Sequence, residues 1–296
     1  MKTKSESIIV AACRSLGALV CVGTTVLMVS SAPAQNLFVA DEGSGNIYEF
    51  TPGGVRSTFA SGLSHPNGIA FNSAGDLFAS DQSGIYEFTP GGVRSIYATG
   101  LSPNGIAFNS AGDLFVSQNN GNIIKITPGG VRSIFASGLD GSIGLAFNSA
   151  GDLFVAAGFN MGTITKITPS GAQSTFASGL SYPWGLAFNS AGDLFEADDG
   201  SHNINEFTPG GAESAFVTVR DGPLALAFDS AGNLFVGEDS SAGNIYVFTP
   251  SGFRSVFASG LDYPEGLAFQ PVPEPSALGL LAVGVLALFV RRHRHW

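Results

Sequence analysis

The chain has 296 residues, of which only 12% are charged, and it contains 40 glycines and 24 phenylalanines. This composition is typical of many short strands that pack through aromatic side chains and are joined by tight turns. Residues 35–271 carry seven Lys/Arg against twenty-one Asp/Glu, a formal charge of −14, which argues against nucleic acid as a partner. Both cysteines, Cys13 and Cys21, precede this region, so its chemistry involves no thiol.

The first 34 residues have the layout of a secretory signal peptide. Lys2 and Lys4 precede an apolar run from Leu16 to Val29, and Ala32-Pro33-Ala34 supplies the small residues of a cleavage site. An uncleaved anchor is the alternative, but a run of fourteen apolar residues is short for a membrane span of about 20. The sequence therefore predicts export, with a mature domain of residues 35–271.

A six-fold repeat follows the signal segment. The motif Gly-[Ile/Leu]-Ala-Phe, with one Ala variant, starts at Gly68, Gly105, Gly144, Gly185, Ala225 and Gly266. Intervals of 37 to 41 residues indicate stacked or radial units of that size. The motif thus predicts a repeat architecture rather than two independent domains.

Each repeat is predicted to form four short strands, as at residues 68–71, 77–81, 85–88 and 93–98. In the first hairpin Gly75 is free to take positive φ, and in the third hairpin Pro90 presets φ for a turn. Four short strands per repeat of this length predict one propeller blade.

The two ends of the repeat region complete each other. Residues 36–60 supply only three strands, while Gly266–Phe269 has no Leu-Phe strand after it. Counting this split unit once predicts an all-β, six-bladed β-propeller with four strands per blade, closed by the N-terminal strands joining the C-terminal inner strand. The paired phenylalanines of each repeat, such as Phe108 with Phe115, are expected to pack between neighbouring blades.

The repeats resemble the NHL-repeat and gluconolactonase (SMP-30-like) propellers. The resemblance covers residues 36–269 and rests on Pro-x-Gly-[Ile/Leu]-Ala-Phe, Gly-[Asp/Asn]-Leu-Phe-Val-Ala-Asp and Gly-Asn-Ile. It implies propeller architecture, but related repeats serve binding modules, lactonases and lyases alike.

The C-terminal segment, residues 272–296, resembles a PEP-CTERM sorting signal. Val272-Pro273-Glu274-Pro275 is followed by an apolar run at 277–290 and a basic cluster at 291–295. The resemblance implies an exosortase as processing partner, in a Gram-negative bacterium that also makes extracellular polysaccharide. A plain tail anchor through a short transmembrane segment at 277–290 is the alternative. Either interpretation limits membrane contact to this segment and predicts a propeller outside the inner membrane, at the cell surface or extracellular after processing.

Ligands of propellers usually bind at the face where loops enter the innermost strands. The residues that precede the inner-strand glycine, or Ala225 in its place, are Asn67, Asn104, Ile143, Trp184, Leu224 and Glu265. Because the blades are near copies, a site is expected where they differ, at Glu265, Trp184, His65, His202, Glu196 and the loop Phe159–Met161. Of these, Trp184, His65 and His202 are the predicted ligand-binding residues. The plainer alternatives are that the loop His and Glu side chains are simply solvated and that Trp184 only caps the channel. Nothing in the sequence pairs His65 with His202 for catalysis.

The gluconolactonase resemblance implies a divalent cation, such as calcium, held by Glu265, Asn67 and Asn104. No Pro-Asp-Gly step supplies the Asp that completes this site in the family and also carries the proposed base role, so the resemblance implies metal binding more directly than hydrolysis. The loops 41–46 and 198–203 also suggest calcium through their carboxylates, although Asp and Asn equally favour tight turns there.

The function predicted from the sequence is an exported binding or scaffold module for extracellular polysaccharide or protein, rather than an enzyme. The alternatives are a metal-dependent hydrolase of the gluconolactonase kind and, less favoured, a lyase resembling the streptogramin-inactivating propellers.

Overall fold

A computed structural model describes residues 35–139, 141–158 and 162–272 of the chain. These residues form 24 strands and no helix, arranged as six four-stranded antiparallel sheets. None of them belongs to a helix long and apolar enough to cross a membrane. The predicted signal peptide and the apolar segment of the C-terminal signal lie outside the described residues.

The strands are numbered in chain order and the sheets are called blades 1 to 6. Blade 1 contains β1 (Leu37–Asp41), β2 (Asn46–Phe50) and β3 (Arg56–Ala60). Blade 2 contains β4 (Ile69–Phe71), β5 (Leu77–Asp81), β6 (Gly84–Phe88) and β7 (Arg94–Thr99). Blade 3 contains β8 (Pro103–Phe108), β9 (Leu114–Gln118), β10 (Ile123–Ile126) and β11 (Arg132–Ala136).

The second half of the ring repeats the pattern. Blade 4 contains β12 (Leu145–Phe147), β13 (Leu153–Ala157), β14 (Gly162–Ile167) and β15 (Gln173–Leu180). Blade 5 contains β16 (Pro183–Phe188), β17 (Leu194–Asp198), β18 (Asn203–Phe207) and β19 (Glu213–Thr218). Blade 6 contains β20 (Pro223–Phe228), β21 (Leu234–Glu238), β22 (Gly243–Phe248) and β23 (Arg254–Leu261), and the last strand, β24 (Pro264–Phe269), belongs to blade 1.

The ring closes in blade 1 as the sequence predicts. Its strand order is β24-β1-β2-β3, and β24 pairs antiparallel with β1, with Ala40 opposite Gly266 and Leu37 opposite Phe269. The first and last strands of the repeat region are therefore hydrogen-bonded neighbours, so the split blade has no open inner edge.

The second strand of every blade is completely buried, because a neighbouring blade covers each of its faces. The Phe of each second strand sits between two further aromatic rings. Phe38 lies 5.0 Å from Phe59 of its own blade and 5.1 Å from Phe71 of blade 2, both edge to face. The same arrangement recurs at Phe78, Phe115, Phe154, Phe195 and Phe235.

Packing between blades is confirmed, but the partners differ from the predicted pair. Phe115 contacts Phe147 of the following blade, and Phe108 contacts Phe78 of the preceding one. The reason is the register, since Phe115 is opposite Ala107 in the sheet, and neighbouring residues of a strand face opposite sides. Phe108 and Phe115 therefore point away from each other.

The glycine of the repeat is required by close approach of the inner strands. A Cβ at Gly144 would lie 2.0 Å from the carbonyl oxygen of Trp184, and one at Gly105 would lie 2.1 Å from that of Ile143. These distances are far below van der Waals contact. The glycine therefore lets the residue at the channel mouth of the next blade press against the inner strand.

Candidate functional site

The inner strands surround a small channel whose mouth carries the residues predicted from the sequence. A cavity of about 80 Å³ is lined by Asn67, Ile143, Trp184 and Glu265 among others. Asn104 lines a neighbouring cavity, while Leu224 is buried. Asn67 and Glu265 form a polar part of the channel lining, and Ile143 and Trp184 form an apolar part.

Glu265 is the central acid of this mouth. Its Oε2 accepts a hydrogen bond from Asn67 Nδ2 at 2.5 Å. Burial, with repulsion from Glu42 and Asp239 adding to it, raises the pKa of Glu265 to about 8, and its side chain is hydrogen-bonded to Glu42. At neutral pH the Glu265 carboxyl is therefore mostly protonated and can donate a hydrogen bond, whereas a carboxylate can only accept.

A larger polar cavity lies beside the channel. Its volume is about 310 Å³, and its lining residues are Glu42, His65, Asn67, Gln82, Ser102, Pro103, Asn104 and Asn119. Asn104 Nδ2 donates to Asn119 Oδ1 and to the Ser142 carbonyl, both at 2.9 Å. These bonds fix the carboxamide of Asn104, and Asn67 is shared by the channel and the cavity.

Trp184 provides an aromatic surface within the channel lining. Its indole nitrogen Nε1 is buried and has no hydrogen-bond partner among the described residues. An unsatisfied buried donor costs about 1–3 kcal/mol. Trp184 therefore combines an apolar surface with an unused donor.

Two residues that the sequence analysis named as site candidates, His202 and Glu196, do not line the channel mouth. His202 is exposed in the turn between β17 and β18, with φ of 61°. Glu196 is fully buried in β17, where its Oε2 accepts from Asn205 Nδ2 at 2.9 Å. Burial, helped by the nearby Asp198, raises the pKa of Glu196 well above its ordinary value. The expectation that Glu196 belongs to the ligand face is wrong, because a fully buried strand residue is not accessible there. The loop Phe159–Met161 lies outside the described residues.

The Asp residues that end second strands hold the loops leading into the inner strands. Asp41 accepts the backbone N–H of Asp262 at 2.9 Å, and Asp198 accepts that of Ser181 at 2.8 Å. Asp81 accepts the N–H of Ser64 at 3.0 Å in the same way. The turn interpretation is supported by the other oxygen of these side chains, since Asp81 Oδ1 accepts the N–H of Ser83 at 2.7 Å and Asp198 Oδ1 accepts that of Ser201 at 3.0 Å. Among the described residues, no group of three or more His, Cys, Asp or Glu is placed to hold a metal ion.

Several lining residues were not singled out from the sequence. Glu42, Gln82 and Asn119 come from the loops that follow second strands, which vary between blades. The sequence signal for Glu42 was its place in the loop 41–46, and nothing comparable marks Gln82 or Asn119. His65, like Tyr182 and Tyr263, precedes a proline at the start of the inner-strand segment, and each of the three has a positive φ, between 54° and 57°. Positive φ is uncommon for residues other than glycine and marks positions worth examining.

Comparison with known proteins agrees with this architecture. The PEP-CTERM protein-sorting motif matches residues 271–294. The chain is a six-bladed propeller with a PEP-CTERM sorting motif. The motif indicates export with membrane-associated processing and implies recognition by an exosortase. No curated protein sequence matches the chain.

Solved structures share the fold at low sequence identity. A protein from a nidogen/laminin complex superposes with a TM-score of 0.70 at 18% identity, over 81% of this chain and 99% of that one. A protein assigned as a gluconolactonase gives 0.63 at 17%, over 78% and 89%. Virginiamycin B lyase from Staphylococcus aureus gives 0.55 at 19%, over 64% and 69%. At these identities the likeness shows the fold alone.

Proposed function

We propose that this exported propeller is a binding module, acting at the cell surface or in an extracellular matrix, whose ligand site is the polar cavity together with the channel mouth. The observation that carries the proposal is the lining of the cavity of about 310 Å³, in which side-chain amides predominate. Amides and hydroxyls both donate and accept hydrogen bonds, so they suit a ligand with many hydroxyl groups, such as a saccharide. The volume falls at the lower end of the range of about 300–1,000 Å³ for small-molecule sites.

Trp184 supports a saccharide as the ligand. The channel, at about 80 Å³, admits only a few water-sized molecules, so a sugar ring would lie over its mouth. In that position the apolar face of the ring contacts Trp184 while its hydroxyl groups reach Asn67 and Asn104. A protein ligand is the other class, because a ring of this kind also occurs in a nidogen/laminin complex.

The saccharide proposal is tested by titrating a panel of neutral and acidic mono- and disaccharides against purified protein. Binding is expected to weaken at least tenfold, about 1.4 kcal/mol, in Asn104→Leu and in Trp184→Ala. His202→Ala, a change outside the cavity, is the matched control and is expected to bind as the parent does. Absence of saturable binding across the panel, or equal loss in the control, contradicts a saccharide site here.

A metal-dependent lactonase is the second candidate, and the gluconolactonase neighbour favours it. Glu265, Asn67 and Asn104 would supply one carboxylate and two amide oxygens, which suit a hard cation such as calcium. Because Glu265 has a pKa of about 8, the cation must displace a proton, so its affinity must rise as pH approaches 8. The residues present thus offer a weak site with a single carboxylate.

Calorimetry with calcium and a lactone hydrolysis assay separate the two functions. The protein is a hydrolase rather than a binding module if it binds calcium and hydrolyses a lactone, and if Glu265→Gln weakens the binding at least tenfold and abolishes the turnover. Calcium binding without turnover would leave the binding module with a metal at its mouth. If neither calcium binding nor lactone turnover is observed, the metal is removed from the proposal.

A further inference from the structure

The outer strands of the blades fall into two groups around the rim. In blades 6, 1, 2 and 3 each outer strand begins with an arginine and is preceded by a large apolar residue, namely Phe253-Arg254, Val55-Arg56, Val93-Arg94 and Val131-Arg132. In blades 4 and 5 the same positions hold Ala172-Gln173 and Ala212-Glu213. We call these two sets of strands the basic rim and the opposite rim. The ring is closed, so each set occupies one continuous side of the propeller.

The basic rim exposes apolar side chains that the opposite rim lacks. Among the described residues, seven of the nine exposed large apolar side chains lie in the basic rim. In blade 6, Phe253 is 69% and Val256 is 58% exposed. The equivalent residues of blade 5 are Ala212 and Ala215. The two sides therefore differ in side-chain size as well as in charge.

The arginines do not cover these apolar neighbours. The guanidinium of Arg254 lies 4.9 Å from the centroid of the Tyr246 ring. The guanidinium of Arg56 lies 5.0 Å from the Tyr48 ring and donates to the Gly260 carbonyl of the preceding blade at 3.2 Å. Edge strands are usually protected by charged side chains that project outward. Here Arg56, Arg94 and Arg254 fold back on tyrosines. Arg132 instead donates to the Thr99 carbonyl of the preceding blade at 2.7 Å, so the arginines leave the edge open to contact.

The outer strands also have unpaired backbone groups. Each outer strand has a hydrogen-bonded neighbour on one side only, so its other edge can pair with an added strand. The longest edge in the basic rim is β23, with eight residues. In the opposite rim, β19 carries Glu213 at the position where β23 carries Arg254.

We propose that the basic rim binds a second copy of this chain through its blade 6 edge, with β23 of one copy alongside β19 of the next and the blade 4 strand of the opposite rim outside the contact. Charge complementarity selects this occupant, since Arg254 of one copy meets Glu213 of the other. Side-chain size favours the same partner, because Phe253 and Val256 meet a strand whose equivalent residues are alanines. Four of the seven Lys/Arg of residues 35–271 lie in the basic rim, so this side carries most of the cations of an acidic domain. Because the two surfaces are different, the contact is head to tail, and it joins more than two copies, either in a closed ring or in an open row according to the rotation between them.

Sedimentation velocity on residues 35–272 tests this proposal. These residues contain every strand of the closed ring, and a cooperative melt verifies that each variant is folded. The parent is expected to associate as its concentration rises, and less so in ~0.5 M salt, where exposed charges are screened. Glu213→Arg is expected to weaken association at least tenfold. Gln173→Arg, at the same position of blade 4, is the matched control and is expected to associate like the parent.

A charge exchange identifies the strands in contact. Arg254→Glu alone is expected to weaken association, and the double variant Arg254→Glu/Glu213→Arg is expected to restore it. A parent that stays monomeric at every concentration overturns the proposal. So does equal behaviour of Glu213→Arg and Gln173→Arg, or a double variant no better than Glu213→Arg.

Discussion

Glu265→Gln is expected to change how the stability of the propeller depends on pH. Burial and the neighbouring acids raise the pKa of Glu265 from its ordinary value of 4.5 to about 8. The folded protein therefore keeps this proton up to about pH 8, while the unfolded chain releases it near pH 4.5. Between these limits the unfolded state binds fewer protons, so the free energy of unfolding of the parent falls as pH rises.

The size of the effect follows from the shift. Each pKa unit corresponds to about 1.36 kcal/mol, so two pH units inside the window give at most about 2.7 kcal/mol. Glu265 retains some solvent exposure, and we therefore expect about 2 kcal/mol between about pH 5.5 and about pH 7.5. Glutamine reproduces the neutral carboxyl, because it can accept from Asn67 and donate to Glu42. The variant should therefore gain stability relative to the parent by this amount over the interval.

Urea unfolding followed by tryptophan fluorescence measures the difference directly. Trp184 is the only tryptophan in residues 35–272, so the signal comes from the channel mouth. Thr58→Ala, a change on an exposed outer strand that alters no titrating group, is the control and should give a difference that does not vary with pH. A constant difference between Glu265→Gln and the parent from pH 5 to 8 would refute the reasoning, since buried groups elsewhere are common to both proteins.

Three further outcomes follow from the fold and the sorting motif. Gly144→Ala should lower the free energy of unfolding by about 1–3 kcal/mol, because its Cβ would lie 2.0 Å from the Trp184 carbonyl; Gly53→Ala, whose nearest atom would be 3.9 Å away, should be nearly neutral in the same urea titration. Deletion of residues 36–51 should abolish the cooperative melt, since it removes β1 and β2 from the closing blade. Intact-mass measurement of the protein at its final location should show a chain without residues 273–296, and recovery of the full chain in inner membranes would favour the tail anchor.

The repeat was sufficient to predict the architecture from sequence, because each local pattern occurs about six times in the same phase. Hairpin glycines such as Gly75, with φ of 87°, and the split closing blade were both predictable. Inner-strand residues such as Asn67 and Glu265 were also placed correctly, since the residue before the repeat glycine has one position in every blade.

Side-chain partners inside the site were much less predictable. The contact of Glu265 in β24 with Glu42 in the loop after β1 joins residues 223 positions apart in sequence, and no local pattern specifies it. Glu196 illustrates the opposite failure. It breaks the repeat and so looks functional, but it is buried beside Asn205 at positions that hold Val39 and Tyr48 in blade 1. A departure from the repeat thus marks a difference in environment, and only the fold shows whether the environment is a site or the core.

Blade 6 contains a paired departure whose physical reason can be tested. Ala225 replaces the repeat glycine, and its partner across the strands, Gly237, replaces the Ala or Ser of the other blades. In blade 1 the corresponding partners are Gly266 and Ala40. In blade 6 the inner strand carries the methyl group that the second strand carries in blade 1. The volume of side chain between the two strands is therefore the same, as dense packing requires.

The exchange predicts that the two positions are energetically coupled. A Cβ at Gly237 would lie 2.5 Å from the Pro264 carbonyl and 3.5 Å from the Cβ of Ala225, so Gly237→Ala alone should cost about 1–3 kcal/mol. The double variant Ala225→Gly/Gly237→Ala restores the pair used by blade 1. Its new methyl group packs beside the space that the Ala225 methyl group leaves, so the cavity of the Ala225→Gly single variant is filled and only the clash with the Pro264 carbonyl remains. It should therefore lose at least about 0.5 kcal/mol less than the sum of the single variants. Urea unfolding of the four proteins gives the coupling energy. Simple additivity of the two single-variant effects would show that the two positions are not coupled.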